Sequence, residues 1–597
     1  MKQFFKYVLA TMVGVFALCV ILAVMSIISL AGMAAMGSGT TATVSDNSVL
    51  VINLKGAIDE RAQENPFAAL MGGNMDEPLG LEEIMLAIDH AKNEDKVKGI
   101  YIEAGDLTGA APATLQEIRN ALVDFKKSGK FITSYSDTYS QGSYYVCSVA
   151  DSLVINPKGM IAWHGLASQT MYYKDLFEKI GVSMQVVKVG TYKSAVEPFL
   201  LNEMSDANRE QITVFEGEIW DQMLTDISKS RGMKKEKLNA LADSAIMFKQ
   251  AELYKKEKLV DKLAYSDDVP NIIANLMKVD EPSDYNTIKV KDLAAIASSE
   301  PKSTSGNIVA VYYAYGDIVE EASASGLSQE NQIVGTKVIK DLKELADDDD
   351  VKAVVLRVNS GGGSAYASEQ IWHQVMNIKS KKPIVVSMGD YAASGGYYIS
   401  CAADWIVAQP TTLTGSIGIF GTFPEASKLL NETLGVHFYT VKTNEFADFG
   451  DISRPLSEGE RAALQQYINN GYDLFTKRCA DGRKMKQDAI KAIAEGRVWT
   501  GVHAKSIGLV DQLGSLEDAI AVAKKKANVD ECSVISYPAK TDFFTSLMEE
   551  MNGSGTYADA QMKEALGEYY NMFRNIKSLS HKTGIQASMP YYMMWNL

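Results

Sequence analysis

The chain has 597 residues, 22% of them charged, and a formal net charge of −15 at pH 7. No Lys/Arg run is dense enough to track a phosphate backbone, which argues against nucleic acid as a partner. Five cysteines without a CxxC pair and six histidines without an HExxH or i, i+4 pair give neither a disulfide framework nor a ligand set, so no metal or other cofactor is expected.

In chain order, Lys2 and Lys6 precede a run without charged residues from Tyr7 to about Met36. At about 1.5 Å per residue this run is long enough to cross a ~30 Å hydrocarbon core. It is also longer than the roughly 7–15 residues of a signal-peptide core. An uncleaved transmembrane helix over 1–36 is expected; a cleaved signal peptide competes, because AGMAAMGSG (31–39) offers small residues to a peptidase. Lysines before the span and no basic cluster just after it favour a cytoplasmic N-terminus, with the rest of the chain outside the cytoplasm. The polar, Gly-containing GSGTTATVSDNS (37–48) reads as a tether.

Two related modules follow, over 49–280 and 307–540. The first opens with SVLVINLKGAID (48–59) and continues with KVKGIYIE (96–103) and SYSDTYSQGSYYVCSVAD (134–151). The second repeats the pattern as NIVAVYYAYGDIV (307–319), VKAVVLRV (351–358) and SMGDYAASGGYYISCAAD (387–404). Tyr144 and Tyr145 align with Tyr397 and Tyr398, and Gly56 and Ile58 with Gly316 and Ile318. β-branched runs alternate with helical segments, which predicts an α/β fold with a parallel sheet buried on both faces. The stretches 203–277 and 454–530 read as largely helical. ADDDD (346–350) reads as a helix end and turn, since no calcium-loop spacing follows it. Pro, Ser, Thr and Gly over 281–306 predict a linker, and 541–597 a C-terminal tail ending in SMPYYMMWNL.

The modules differ where chemistry is possible. Ser394 lies in a turn of small residues between a predicted strand and a predicted helix, a place suited either to a nucleophile near a helix dipole or to an ordinary N-cap. The first module makes the same turn with Gln141, which favours the nucleophile. NSGGGS (359–364) has three consecutive glycines whose amides suit an oxyanion, whereas the first module has GDLTGAA (105–111), without consecutive glycines, at the matching place. The loop TLTGSIGIFG (412–421) adds Ser416. No histidine lies beside these loops, so the base would be a lysine whose proton is loosened by burial. Lys193, in VGTYKSA after the strand MQVVKV, is one candidate among several; its counterpart in the second module is Ala447. Complementary loss of this kind suggests one composite site.

A single N-terminal span, tandem modules, Lys193 in VGTYKSAVEPF, and NSGGGS, YAASGGYY and TLTGSIGI in that order resemble the long, tandem-domain form of the signal peptide peptidase A (protease IV) family. The resemblance implies two ClpP/crotonase-like domains of repeated ββα units, the first supplying a lysine and the second a serine. It implies a serine peptidase with a Ser-Lys dyad: Ser394 as nucleophile, Lys193 as general base, Ser416 bonded to the lysine, and amides around Gly362, Gly363 and Gly395 as oxyanion hole. It further implies hydrophobic peptide substrates including signal-peptide remnants, a homotetramer, and a single-pass protein of the bacterial inner membrane with its catalytic domains periplasmic or extracytoplasmic. One departure is Gly361, where the family commonly has proline; glycine leaves the loop less rigid before binding. A crotonase-like acyl-CoA enzyme and an inactive scaffold are the rival readings.

Overall fold

The computed structural model describes residues 43–62, 79–299, 303, 305–321, 331–540 and 584–589. The expected span over 1–36 lies outside the described residues. Among those described, no helix is long and apolar enough to cross a membrane.

Each module builds its own sheet from short β-branched runs. In the first, six parallel strands stand in the order Lys262–Leu263, Ser152–Ile161, Phe131–Tyr139, Val97–Leu107, Ser48–Gly56, Asn286–Lys289. In the second, the order is Val498–Thr500, Leu413–Gly415, Ile384–Ala393, Val351–Ser360, Ile308–Tyr315, Ser533–Tyr537. Only the first of these six runs antiparallel to its neighbour. Helices cover the sheets: Ile84, Ile88, Ile118 and Leu122 from two helices share a core with strand residues Ile100 and Ile102. Such β-layers flanked by helices follow from strands that are apolar on both faces.

The duplication extends to individual hydrogen bonds. Tyr144 Oη donates to the Leu259 carbonyl and Tyr397 Oη to the Leu509 carbonyl, both at 2.9 Å. Arg231 pairs with Asp261 at 2.7 Å, as Arg483 does with Asp511 at 2.6 Å.

The predicted linker is a correction. Asn286–Lys289 is the edge strand of the first sheet, paired with Ser48–Val51, and Val290–Ser299 is a helix packed on Leu81–Asn93. The local pattern explains it: Ile288, Val290 and Leu293 are buried. Pro282 opens a short 3-10 turn closed by a Glu281–Asp284 capping box, so it marks a turn inside the domain.

A third sheet joins the two modules. Its order is Gln332–Val334, Asp317–Val319, Gly362–Ser364, Gly584–Ser588, Phe420–Glu425, Ser183–Lys188. The last strand belongs to the first module, yet it pairs antiparallel with Phe420–Glu425 of the second. Within the predicted tail, 584–588 forms a strand of this sheet, while 541–583 and 590–597 lie outside the described residues. Buried charge also fastens the modules together. Arg357, 1% exposed, reaches across to Glu60 at 3.0 Å and Glu117 at 2.7 Å. Asp390 accepts from Thr114 N–H at 2.7 Å and Thr114 Oγ1 at 2.6 Å.

Candidate active site

Ser394 sits where the strand Ile384–Ala393 ends and the short helix Gly395–Ser400 begins. The backbone there is forced: φ is +53° and ψ −113°, a conformation that costs a non-glycine residue roughly 1–3 kcal/mol. It is held by Ser394 N–H donating to the Gly415 carbonyl and by Tyr398 N–H donating to the Ser394 carbonyl, both at 2.8 Å. Gly396 is required beside it, since a Cβ would fall 2.5 Å from the Ser360 carbonyl oxygen. The Ser394 side chain makes no capping bond. In the first module Ser140 does the ordinary capping, accepting from Ser143 N–H at 3.2 Å.

Lys193 reaches Ser394 from the other module. The strand Ser183–Lys188 carries the chain along Phe420–Glu425, with Lys188 opposite Phe420, and a turn at Gly190 (φ +108°) then folds it back. Two glycines permit the close approach: a Cβ on Gly190 would lie 2.4 Å from the Glu495 carbonyl oxygen, and one on Gly496 would lie 2.7 Å from the Lys193 backbone. Lys193 Nζ stands 2.8 Å from Ser394 Oγ, 3.1 Å from Ser416 Oγ and 3.1 Å from the Ser416 carbonyl oxygen. Lys193, Ser394 and Ser416 are all fully buried. Among the described residues no carboxylate forms an ion pair with Nζ, and the Phe420 ring lies 5.9 Å away. Burial therefore holds the Lys193 amine well below the ordinary lysine range. Ser416, itself at φ +48°, is fixed by its N–H donating to the Arg497 carbonyl at 2.7 Å.

The glycines divide into different roles. Gly395 opens the helix, so its N–H has no intrahelical acceptor. Gly363 lies in register opposite Ala587 of the inserted strand. Gly362 is a correction: its N–H donates to Ser360 Oγ at 3.1 Å and is already committed. What Gly362 supplies is space, since a Cβ there would fall 2.0 Å from the Ala587 carbonyl oxygen and 2.7 Å from the Gly395 nitrogen.

The first module's equivalents do not meet. Gln141 is buried, and its Oε1 accepts from the N–H groups of His164 at 3.1 Å and Gly165 at 2.9 Å. Ala447 is exposed. Among the described residues no group of His, Cys, Asp and Glu has the arrangement of a metal site. Sequence reasoning missed Arg357, although a lone arginine inside the apolar strand KAVVLRV was a signal for a buried partner.

The sequence profile of Peptidase family S49 matches twice, over residues 124–280 and 377–530, so that Lys193 falls in one match and Ser394 and Ser416 in the other. The chain belongs to peptidase family S49. The Clp protease profile also matches, over 307–411. This S49 peptidase is 35% identical over 534 residues to Protease 4 of Salmonella typhi, an alignment covering 87% of this chain and 85% of that protein. It is 34% identical over 518 residues to Protease 4 of Haemophilus influenzae, covering 85% and 83%. With the chloroplastic serine protease SPPA of Arabidopsis thaliana it shares 28% over 558 residues, covering 93% and 79%. The S49 chain is thus a serine peptidase with an α/β fold that carries the family's sequence twice.

Proposed function

We propose that this S49 peptidase is a membrane-anchored serine endopeptidase that hydrolyses hydrophobic peptides, including cleaved signal peptides, with Ser394 and Lys193 as its catalytic dyad. The observation that carries the reading is the buried 2.8 Å contact between Lys193 Nζ and Ser394 Oγ, with no histidine or carboxylate competing for the amine among the described residues. Burial lowers the Lys193 pKa and so favours the neutral amine, which can take the serine proton as the hydroxyl attacks a peptide carbonyl. The ammonium so formed gives that proton to the departing amine, and a water activated by the same amine hydrolyses the acyl-enzyme. The Gly395 and Gly363 amides would hold the oxyanion. Ser416 bonds Lys193 through two oxygens and so aims its lone pair at the serine.

The segment 1–36, with its apolar run from Tyr7 to about Met36, would anchor the enzyme in a bacterial inner membrane with the modules outside the cytoplasm. A homotetramer fits a second feature. The segment aligned with the docked strand Ser183–Lys188 lies at 437–442, and around it Phe438, Tyr439, Val441 and Phe446 are exposed. A second copy of the chain is the natural cover for such a surface.

The test is hydrolysis of a fluorogenic apolar peptide by the full chain in detergent, beside Ser394→Ala and Lys193→Met. Loss of turnover in both variants, with unchanged circular dichroism, is the expected result; wild-type turnover in Lys193→Met would overturn the assignment of the base.

A further inference from the structure

We infer that Arg497 is a positioning residue for the reaction, clamping Tyr192 and Ser416 so that the Lys193 amine stays on Ser394; the inference rests on the dyad proposed above. Arg497 stands in the second module, in the turn between the helix Gln487–Ile493 and the strand Val498–Thr500. Its guanidinium faces two rings, 4.7 Å from the centre of Tyr192 and 4.5 Å from that of Trp499. Nη1 donates to Tyr192 Oη at 3.2 Å, and Nη2 pairs with Glu210 at 2.9 Å. Tyr192 and Glu210 belong to the first module, so this side chain bridges the two modules at the residue just before Lys193.

The main chain of the same turn holds what surrounds the amine. The Arg497 carbonyl accepts from Ser416 N–H at 2.7 Å, and Ser416 in turn meets Lys193 Nζ through two oxygens. The Glu495 carbonyl accepts from Tyr192 N–H at 2.9 Å, and the Glu495 carboxylate accepts from Thr191 N–H at 3.4 Å. Gln211 closes the ring: its Nε2 donates to the Tyr192 carbonyl and its Oε1 accepts from Val498 N–H, both at 3.2 Å. The backbone at 192 and at 416 fixes where Nζ can stand, and both places are tied to Arg497 or to its immediate neighbours.

Two observations separate this clamp from ordinary packing. Arg497 Nε is buried with no acceptor among the described residues, a cost that a residue kept for stability alone would not carry. The clamp is also missing where the dyad is missing. Counting back from the matched Leu259 and Leu509, the first module has Met247 opposite Arg497 and Lys249 opposite Trp499. Phe446, beside Ala447, stands opposite Tyr192 and is exposed. The turn itself is conserved in shape, since Ala245 and Glu495, two residues earlier in each copy, have φ of +53° and +54°. One copy of the turn therefore carries the arginine and its two rings, and it is the copy that has a lysine to hold.

The experiment measures kcat and KM for an apolar fluorogenic peptide across pH, together with urea unfolding, in full-length Arg497→Met, Tyr192→Phe and Glu218→Gln. Glu218 joins the same helix, Asp206–Arg231, to the same segment, but through Thr500 and His503, and so reports a weakened junction alone. Arg497→Met should lower kcat about tenfold to a hundredfold with little change in KM. Its pH midpoint for kcat/KM should move upward, because a loosened Lys193 meets water and regains an ordinary affinity for its proton. Tyr192→Phe keeps the ring and should lower kcat about threefold, and the double variant should be no slower than Arg497→Met. Glu218→Gln should lower the urea midpoint and keep the wild-type kcat and pH midpoint. Wild-type kcat and pH midpoint in Arg497→Met would overturn the inference, as would equal kinetic losses in Glu218→Gln; both leave the proposed function standing. If Arg497→Met does not fold, unchanged kinetics in Tyr192→Phe would overturn it instead. Wild-type turnover in Lys193→Met would defeat the dyad itself, and the inference with it.

Discussion

The two modules carry the same sheet, the same buried tyrosine pair and the same Arg–Asp clamp, yet at the strand-to-helix turn one has Gln141 and the other Ser394. Gln141 spends its side chain on two loop amides, His164 and Gly165, and so stabilises its own turn. Ser394 makes no capping bond; its Oγ lies 2.8 Å from Lys193 Nζ and donates to the Gly418 carbonyl at 3.5 Å, and its backbone is held at φ +53° by neighbouring strands. The lysine loops reverse the assignment, with Lys193 buried in the other module and Ala447 exposed. A duplicated fold thus keeps its packing in both copies and divides a single reaction between them.

The largest effects should come from the two residues that differ. Ser394→Ala and Lys193→Met should each lower kcat/KM for a peptide by about 10⁴-fold or more, while Gln141→Ser, which restores only the hydroxyl, should create no second site. Steady-state kinetics on the double variant Ser394→Ala/Gln141→Ser would test this directly, with background turnover expected.

The lowered lysine value gives a pH dependence of defined sign. Catalysis needs the neutral amine, so kcat/KM should rise with pH through the folded-state value of Lys193 and then level off. Between that value and the ordinary one of about 10.4, the unfolded chain binds more protons than the folded one. Stability from this group therefore rises with pH over the window and is lost as pH falls through it. Urea unfolding at several pH values should show that slope in wild type and its loss in Lys193→Met.

The junction between modules is the next place to break the comparison. Arg357→Leu would leave Glu60 and Glu117 buried without their cation, a loss of about 3–5 kcal/mol in chemical unfolding. Burial already pushes the Glu60 carboxyl above its usual range, with Arg357 opposing that push. Ser416→Ala removes one of the two Ser416 oxygens on Lys193 and should lower kcat/KM about tenfold, since a single such bond is worth about 1 kcal/mol. Smallest is Gly361→Ala: a Cβ there meets only Met589 Cβ at 3.6 Å, so thermal stability should change by less than about 1 kcal/mol.

What could be read from the sequence was local or repeated. The αβ alternation, the Tyr-Tyr match and the odd placement of Ser394 and Lys193 are all visible in runs of about ten residues. Pairing between distant segments was not. Ser183–Lys188 reads as one more strand of the first module, and nothing in its periodicity says that its partner lies at 420–425. Likewise the edge strand Asn286–Lys289 sits in a Pro- and Ser-containing stretch whose composition suggests a linker, and only burial of Ile288 and Leu293 shows otherwise. The amide of Gly362 looked as available as that of Gly363, because the Ser360 hydroxyl that takes it is only two residues away and its direction depends on the fold.

The most direct test of the divided site is complementation. Full-length Ser394→Ala and Lys193→Met chains would be made separately and co-expressed, and peptide turnover compared with wild type. Because Lys193 and Ser394 of one chain meet at 2.8 Å, each variant and the co-expressed pair should remain inactive. Recovery of turnover in the co-expressed pair would mean that the lysine serves a serine on another chain, and would contradict a site completed within one molecule.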